Sequence, residues 1–264
     1  MKVGLVGCGN ISAELCAALE RGGIAAEIVA VSDVIEAQAV ALVNKFKLNA
    51  KLGTVDATVS AADFVVEAAA PGAVKPVIEA AIRHHRDCLI MSIGGLVAEP
   101  DLLARTQDAG IQVRLPSGAL CGVDGVRAAR EAGLDRVTLT TRKPPKGLAG
   151  APYIVERGID LDALTEPTVV FEGTARDAIK GFPKNVNVAV ALSLAGIGID
   201  RTTVRVIAEP GSNVNSHEVV AEGAFGRLRT LTENVPSPAN PKTSYLASLS
   251  ACAELRAAAL AFSK

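Results

Sequence analysis

As far as residue 115 the chain is patterned in blocks, with short all-apolar runs alternating with longer amphipathic stretches. The runs at 3–6, 28–31, 64–67, 88–93 and 111–115 have strand length and little or no polar face, as strands buried in a parallel sheet do. Between them, 13–19, 36–46, 73–85 and 100–109 read as helices, the last closed by Gly110. This alternation predicts an α/β fold, a Rossmann-type doubly wound parallel sheet. After Pro116-Ser117-Gly118-Ala119 the pattern changes. Segments 136–142, 168–172, 202–207, 217–224 and 226–231 read as strands, and one helical run at 186–195 interrupts them. They predict a second, α+β domain with a largely antiparallel sheet. The alanine- and leucine-rich tail, 242–262, reads as a single helix returning to the first domain. The expected division is 1–118 plus 240–264 for the first domain and 119–239 for the second.

The first block carries chemistry. The run 3–6 leads directly into Gly7-Cys8-Gly9-Asn10-Ile11-Ser12, then a helix, then a second strand ending at Ser32-Asp33. Strand, glycine turn, helix, strand and acid follow in the order a dinucleotide-binding unit requires. Gly7 can take the positive φ of a tight turn, and Gly9 lets a pyrophosphate approach the backbone. The helix that follows aims its unsatisfied N–H groups and positive dipole end at the phosphates, which places Asn10 and Ile11 at the site. Asp33 stands where a carboxylate accepts both ribose hydroxyls. It repels a 2′-phosphate, so NAD is expected to be preferred, with NADP use left open. Ser12 replaces the third glycine of the fingerprint and is small enough for close helix packing. A glycine-rich turn without a ligand is the plain alternative.

Three further loops at strand ends are rich in small residues: Ala69-Ala70-Pro71-Gly72, Ile93-Gly94-Gly95 and Pro116-Ser117-Gly118-Ala119. Each is either a tight turn or a close approach to cofactor, and ligands of doubly wound sheets bind at such ends.

Composition narrows the classes. Twenty-seven Lys and Arg stand against 28 Asp and Glu, a net charge of −1, with no basic run to suggest nucleic acid. Apolar stretches are broken by Gly, Pro or charge, so no membrane span is expected. A strand beginning at residue 3 leaves no room for a signal peptide, and five scattered cysteines without a CxxC pair suit reduced thiols, so a cytoplasmic protein without a metal site is expected.

Histidine is scarce. His84 and His85 end a helix beside Arg83 and Arg86, where cations suit the dipole and no catalysis is needed. His217 follows the turn Gly211–Ser216 and opens a strand, so it reads as a proton acceptor and donor or as a hydrogen-bonded strand-edge histidine. Arg142, Lys143, Lys146, Lys184 and Lys242 could bind an anionic substrate, with solvated surface charge as the alternative for each. Lys242 is expected to open the last helix, against the dipole. Asn185 and Asn187 bracket the entry to the helix at 186–195 and could cap it or reach a cofactor.

Read together, several motifs of the second half carry a resemblance. They are Pro116-Ser117-Gly118-Ala119-Leu120-Cys121-Gly122, Thr141-Arg142-Lys143-Pro144-Pro145, Phe182-Pro183-Lys184-Asn185-Val186-Asn187-Val188, Asn215-Ser216-His217, Gly223-Ala224-Phe225-Gly226, and Asn234-Val235-Pro236-Ser237 through Asn240-Pro241-Lys242-Thr243-Ser244. The chain resembles the L-aspartate dehydrogenase family over essentially its whole length. The resemblance implies NAD(P)-dependent oxidation of L-aspartate to iminoaspartate, which hydrolyses to oxaloacetate and ammonia or feeds NAD biosynthesis. It also implies a homodimer formed through the substrate domains. Position by position, it makes His217 the catalytic histidine, Cys121 a contact to NAD through its backbone amide, and Asn187 a second NAD contact. Lys184 and Lys242 are the candidate cations for the substrate carboxylates, with the substrate expected in a cleft between the domains. Relatives commonly carry alanine at the Cys121 position, so cysteine is tolerated if only the amide matters.

Two other readings are set beside this one. A reductase resembling dihydrodipicolinate reductase also has a Pro-Ser-Gly turn and a His-His pair, but there the pair lies in the second domain, shortly before that turn and joined to a lysine. A non-catalytic NADH-sensing module would need the glycine fingerprint but not His217.

Overall fold

The computed structural model describes residues 1–183, 187–238 and 240–263, with the backbone alone for 240–243. The chain forms two units, Met1–Pro116 with Ser248–Lys264, and Ser117–Ala247. The boundaries thus fall after residues 116 and 247, where the sequence suggested 118 and 239.

The first unit holds strands β1 (Lys2–Val6), β2 (Glu27–Ser32), β3 (Lys51–Leu52), β4 (Phe64–Glu67), β5 (Asp87–Ile90) and β6 (Val113–Arg114). Helices α1 (Asn10–Glu20), α2 (Glu36–Lys45), α3 (Val55–Ala61), α4 (Pro71–His84) and α5 (Leu102–Asp108) connect them. The six strands are ordered β3-β2-β1-β4-β5-β6, all parallel, which is the doubly wound dinucleotide-binding order. The order reverses beside β1, so the carboxyl ends of β1, β2 and β4 frame the crevice where such sheets bind ligands. Val3, Leu5, Val31, Phe64, Val66 and Leu89 supply the sheet's part of the core and are almost wholly buried. Burying such side chains stabilises by about 1.5–3 kcal/mol each.

The sequence missed α3 and β3. Thr54 caps α3 by accepting from the Ala57 amide, and β3 is two exposed residues too short to leave a periodic signature.

The second unit contains β7 (Leu134–Lys143), β8 (Thr168–Thr174), β9 (Thr203–Ala208), β10 (Asn215–Gly223) and β11 (Gly226–Asn234), with α6 (Val123–Arg130), α7 (Pro152–Glu156), α8 (Ala175–Gly181) and α9 (Asn187–Ala195). The sheet order is β11-β10-β7-β9-β8. Three of its four pairings are antiparallel and β7–β9 is parallel. Among the described residues, α6, α7 and α8 are present beyond the single expected helix. In α6, Val123, Val126 and Ala129 recur at helical spacing and are buried, although Gly125 and the charged Asp124, Arg127 and Arg130 obscure the pattern in sequence. Val137 and Leu139 of β7, Val219 and Ala221 of β10, and Leu192 of α9 share one buried cluster.

The last helix, α10 (Tyr245–Phe262), starts three residues later than expected. Residues Asn240–Ser244 are extended and pair with Pro236–Ser237, because a residue before proline is driven out of helical geometry and Pro241 follows Asn240. Lys242 therefore does not open a helix. By length and apolar composition α10 would suffice to cross a membrane, which the sequence reading had not expected of any segment. Its Ala251, Cys252, Leu255, Ala258 and Ala259 instead belong to the core of the first unit, beside Val3, Leu5 and Leu15.

Candidate active site

In the first unit the glycine turn is tightly specified. Gly7 has φ of +92°, and a Cβ there would lie 2.6 Å from the backbone of Ala68 and Ala69. Its amide donates to the Ser32 carbonyl at 2.8 Å. No other residue can fill that position without moving the loop after β4. Gly9 is the opposite case, with nothing within 4 Å of the position a Cβ would take, so this side of the turn is open. Gly9 also precedes α1, which has no side-chain cap, so its first-turn N–H groups remain directed at that open side. Asn10 and Ile11 are the first residues of that helix. Ser12 is buried and donates its hydroxyl to the Gly7 carbonyl at 2.5 Å, a bond the third glycine of the usual fingerprint could not make.

Asp33 does more than wait for a ligand. One carboxylate oxygen accepts from the Cys8 amide at 2.7 Å and the other from the Ile35 amide at 2.8 Å. A carboxylate has about four acceptor positions, so these two bonds orient it and leave capacity for two hydroxyls.

One group here had drawn no attention in the sequence. Glu67 ends β4 level with Val6 of β1 and Ile90 of β5, and none of its surface is exposed. Its carboxylate accepts from the Ala69 amide at 2.8 Å, the Ser92 amide at 2.9 Å and the Ser92 hydroxyl at 2.8 Å. Burial pushes its carboxyl above the ordinary value, opposed by these hydrogen bonds. Glu67 thus ties together the loops after β4 and β5. Its signal in sequence was a lone charge closing an otherwise apolar strand.

In the second unit β7 and β10 run antiparallel with Thr141 opposite His217 and Arg142 opposite Ser216. His217 is 4% exposed, and its Nδ1 lies 3.1 Å from Thr141 Oγ1. Burial, reinforced by the charge of Lys143, pushes its pKa down to about 3, so the imidazole is neutral at physiological pH. Lys143 is the next residue on the same face of β7, and burial lowers its pKa to about 8. A cavity of about 450 Å³ opens beside it, lined also by Lys146, Leu148, Phe182, Asn213 and Asn215.

Cys121 is exposed in a loop held by β11. Thr230 donates its hydroxyl to the Cys121 carbonyl at 3.1 Å, and Thr232 and Asn234 both donate to the Ala119 carbonyl. Asn187 is exposed at the first turn of α9. Lys184 and Asn185 lie outside the described residues, as does the side chain of Lys242. His84 lies 3.1 Å from the Asp56 carboxylate, and His85 closes α4 with φ of +51°, which accounts for the pair structurally.

The chain's kinship follows the same two parts. Residues 7–116 match a family model described as homoserine dehydrogenase, NAD binding domain, and residues 124–258 match one described as aspartate dehydrogenase, C-terminal. The L-aspartate dehydrogenase of Methanosarcina acetivorans is 44% identical over 260 residues, covering 97% of this chain and 96% of that protein. The L-aspartate dehydrogenase of Methanocella arvoryzae is 46% identical over 259 residues, again covering 97% and 96%. A crystal structure of aspartate dehydrogenase from Thermotoga maritima superimposes with a TM-score of 0.74 at 27% identity, covering 98% of this chain and 96% of that one. Fold, glycine turn and full-length identity agree, and the chain belongs to the L-aspartate dehydrogenase family.

Proposed function

We propose that this chain catalyses the NAD(P)-dependent oxidation of L-aspartate to iminoaspartate, reversible as the reductive amination of oxaloacetate. The observation that carries this reading is identity of 46% with an L-aspartate dehydrogenase over 97% of the chain, through both units. The first unit fits a dinucleotide: the Gly7 turn leaves no room for a side chain, the flank at Gly9 is open, and α1 presents uncapped N–H groups. Gly7, Gly9, Asn10 and Ile11 would hold the pyrophosphate and Asp33 the adenosine ribose. The Cys121 amide and Asn187 would hold the nicotinamide end. When bound, NAD supplies the acceptor for the hydride leaving the substrate Cα.

His217 would exchange a proton with the substrate amine, directly or through water. Its hydrogen bond to Thr141 fixes the ring orientation, and burial keeps it neutral and dry. Burial first and the charge of Lys143 second hold its basicity down, and a substrate carboxylate near Lys143 would offset the second of these. The product iminium is electron-poor and open to water. By the family resemblance, the active form is a homodimer joined through the substrate domains, and the iminoaspartate hydrolyses to oxaloacetate and ammonia or feeds NAD biosynthesis; the scattered cysteines without a CxxC pair suit a cytoplasmic protein.

The test is NADH consumption with oxaloacetate and ammonium, each omitted in turn. Consumption only when both are present is expected. Consumption with oxaloacetate alone would mean keto-acid reduction instead, and binding of NADH without turnover would mean a sensing module.

A further inference from the structure

A strand that covers a core from the edge of a sheet normally turns apolar side chains inward. The edge strand β11 departs from this. Arg227, Arg229, Leu231 and Glu233 are exposed, and the alternate positions Leu228, Thr230, Thr232 and Asn234 turn inward. Only the first of these four is apolar, and all four meet the segment 119–125. A Cβ at Gly125 would lie 2.6 Å from Leu228, and one at Gly122 would lie 2.7 Å from Thr230, so the two glycines let the segment lie directly on the strand. Thr230 donates to the Cys121 carbonyl at 3.1 Å, and Thr232 and Asn234 donate to the Ala119 carbonyl at 3.0 and 3.1 Å. Thr232 stands opposite His217 in the register, and its hydroxyl also lies 3.3 Å from the His217 carbonyl.

The loop's carbonyls and amides are treated differently. Besides Ala119 and Cys121, the Ser117 carbonyl accepts from the Leu120 amide and the Gly122 carbonyl from the Val126 amide. The amides of Cys121 and Gly122 have no acceptor among the described residues, and Gly122 opens α6 without a side-chain cap. A loop whose carbonyls are tied down and whose N–H groups stay unpaired presents donors to a ligand. Two half-buried threonines and a buried asparagine carry a desolvation cost that apolar side chains would not. In return they fix the register between this loop and the strand pair that carries His217.

We propose that Thr232 and Asn234 are positioning residues for the cofactor: through the Ala119 carbonyl they hold the nicotinamide-binding loop at a set distance from His217. The inference rests on the reading of the Cys121 amide as a nicotinamide contact. Thr232 makes the direct link, since its hydroxyl reaches both the loop carbonyl and the His217 carbonyl. Asn234 fills the second acceptor position of the Ala119 oxygen, so the loop is held at one point by two donors.

The test compares wild type, Thr232→Ser and the double variant Thr232→Val/Asn234→Leu by calorimetry with NADH and with ADP-ribose. ADP-ribose carries the parts assigned to Gly7, Gly9 and Asp33 but lacks the nicotinamide. Wild type should bind NADH more tightly than ADP-ribose. The double variant leaves the Ala119 carbonyl without either donor, and its Kd for NADH should rise roughly fivefold to a hundredfold, the worth of two hydrogen bonds. Its Kd for ADP-ribose should stay within about twofold, and Thr232→Ser, which keeps the hydroxyl, should stay within about twofold for both ligands. Turnover of oxaloacetate with ammonium at saturating NADH should fall about tenfold or more in the double variant, since the ring is no longer held in place. If that variant fails to fold, Thr232→Val alone cuts the link to His217, keeps Asn234 on the carbonyl, and should show the same split by a smaller factor. A folded variant that keeps the wild-type preference for NADH over ADP-ribose overturns the proposal alone, as does equal weakening of both ligands, which marks a merely structural role. Equal affinity of wild type for NADH and ADP-ribose would overturn the placing of the nicotinamide on this loop, and the proposal with it.

Discussion

Glu67 offers the clearest quantitative test of how the first unit is held together. Replacing it by alanine removes three hydrogen bonds, from the Ala69 amide, the Ser92 amide and the Ser92 hydroxyl. The hydroxyl can rotate to another acceptor and the part-buried Ala69 amide can turn to water, but the buried Ser92 amide cannot. The orphaned Ser92 amide costs about 1–3 kcal/mol and the lost Ala69 bond about 0.5–1.5 kcal/mol, a gross loss of about 1.5–4.5 kcal/mol. Part of this is offset, because the variant no longer buries a carboxylate whose ionised form is disfavoured by burial. A net destabilisation of about 1–3 kcal/mol is expected in urea unfolding, with faster amide exchange at Ala69 and Ser92. Glu67→Gln keeps one oxygen for one of the two amides and should lose about half as much. The pH dependence has a definite sign. The folded carboxyl has a proton affinity raised above its ordinary value of 4.5, so the native state binds more protons than the unfolded chain just above that pH. As pH falls from neutral toward 4.5, wild type should therefore gain stability relative to Glu67→Gln. A loss below about 1 kcal/mol in Glu67→Ala, with exchange at Ala69 unchanged, would refute the view of Glu67 as the tie between the two loops.

The glycine turn gives a second expectation. Gly7→Ala should cost about 2 kcal/mol or more, since φ of +92° and a 2.6 Å approach to Ala68 both oppose a side chain, and NADH affinity measured by fluorescence should fall with it. His217→Gln should lower turnover about 10²–10⁴-fold while leaving the Kd for NADH near wild type. The same variant has a stability signature. The native imidazole pKa is about 3 against an ordinary 6.5, so the unfolded state binds the extra proton between those values. Wild type should lose stability relative to His217→Gln as pH falls through that window, and show no such difference above it. Asp33→Asn should narrow the preference for NAD over NADP in kcat/KM by removing a charge that repels the 2′-phosphate. It should not weaken the turn severely, because the amide oxygen can still accept from either Cys8 or Ile35.

Most of the first unit could be read from sequence because its strands are buried on both faces. Runs such as Phe64-Val65-Val66 stand out against any neighbouring pattern, and all four residues of β4 are buried. What could not be read were elements too short or too mixed to show a period. The helix α8 is seven residues long, and its clearest sign was Thr174, which accepts from the Asp177 amide and donates to its carboxylate. In α6 the buried stripe coexists with Gly125, whose missing side chain admits Leu228 of β11. A glycine chosen for close approach looks in sequence like a helix breaker.

The candidate site divides along the same line. Gly7, Gly9 and Asp33 were visible because each serves a backbone conformation or a ligand, and both leave a fixed spacing in sequence. Glu67 was not singled out, and Lys143 was one of five cations given equal standing, although both lie on strands whose inward faces are largely apolar. Sequence reading treats a charge on such a strand as the end of the buried face. Structure reverses that inference, because Glu67 is wholly buried and Lys143 lies next to the His217–Thr141 pair. A charge is retained in such a place only if something repays its desolvation. For Glu67 the repayment is already present, in two backbone amides and a hydroxyl. Removing Glu67 should therefore be felt first in the stability of the protein, before any ligand is added.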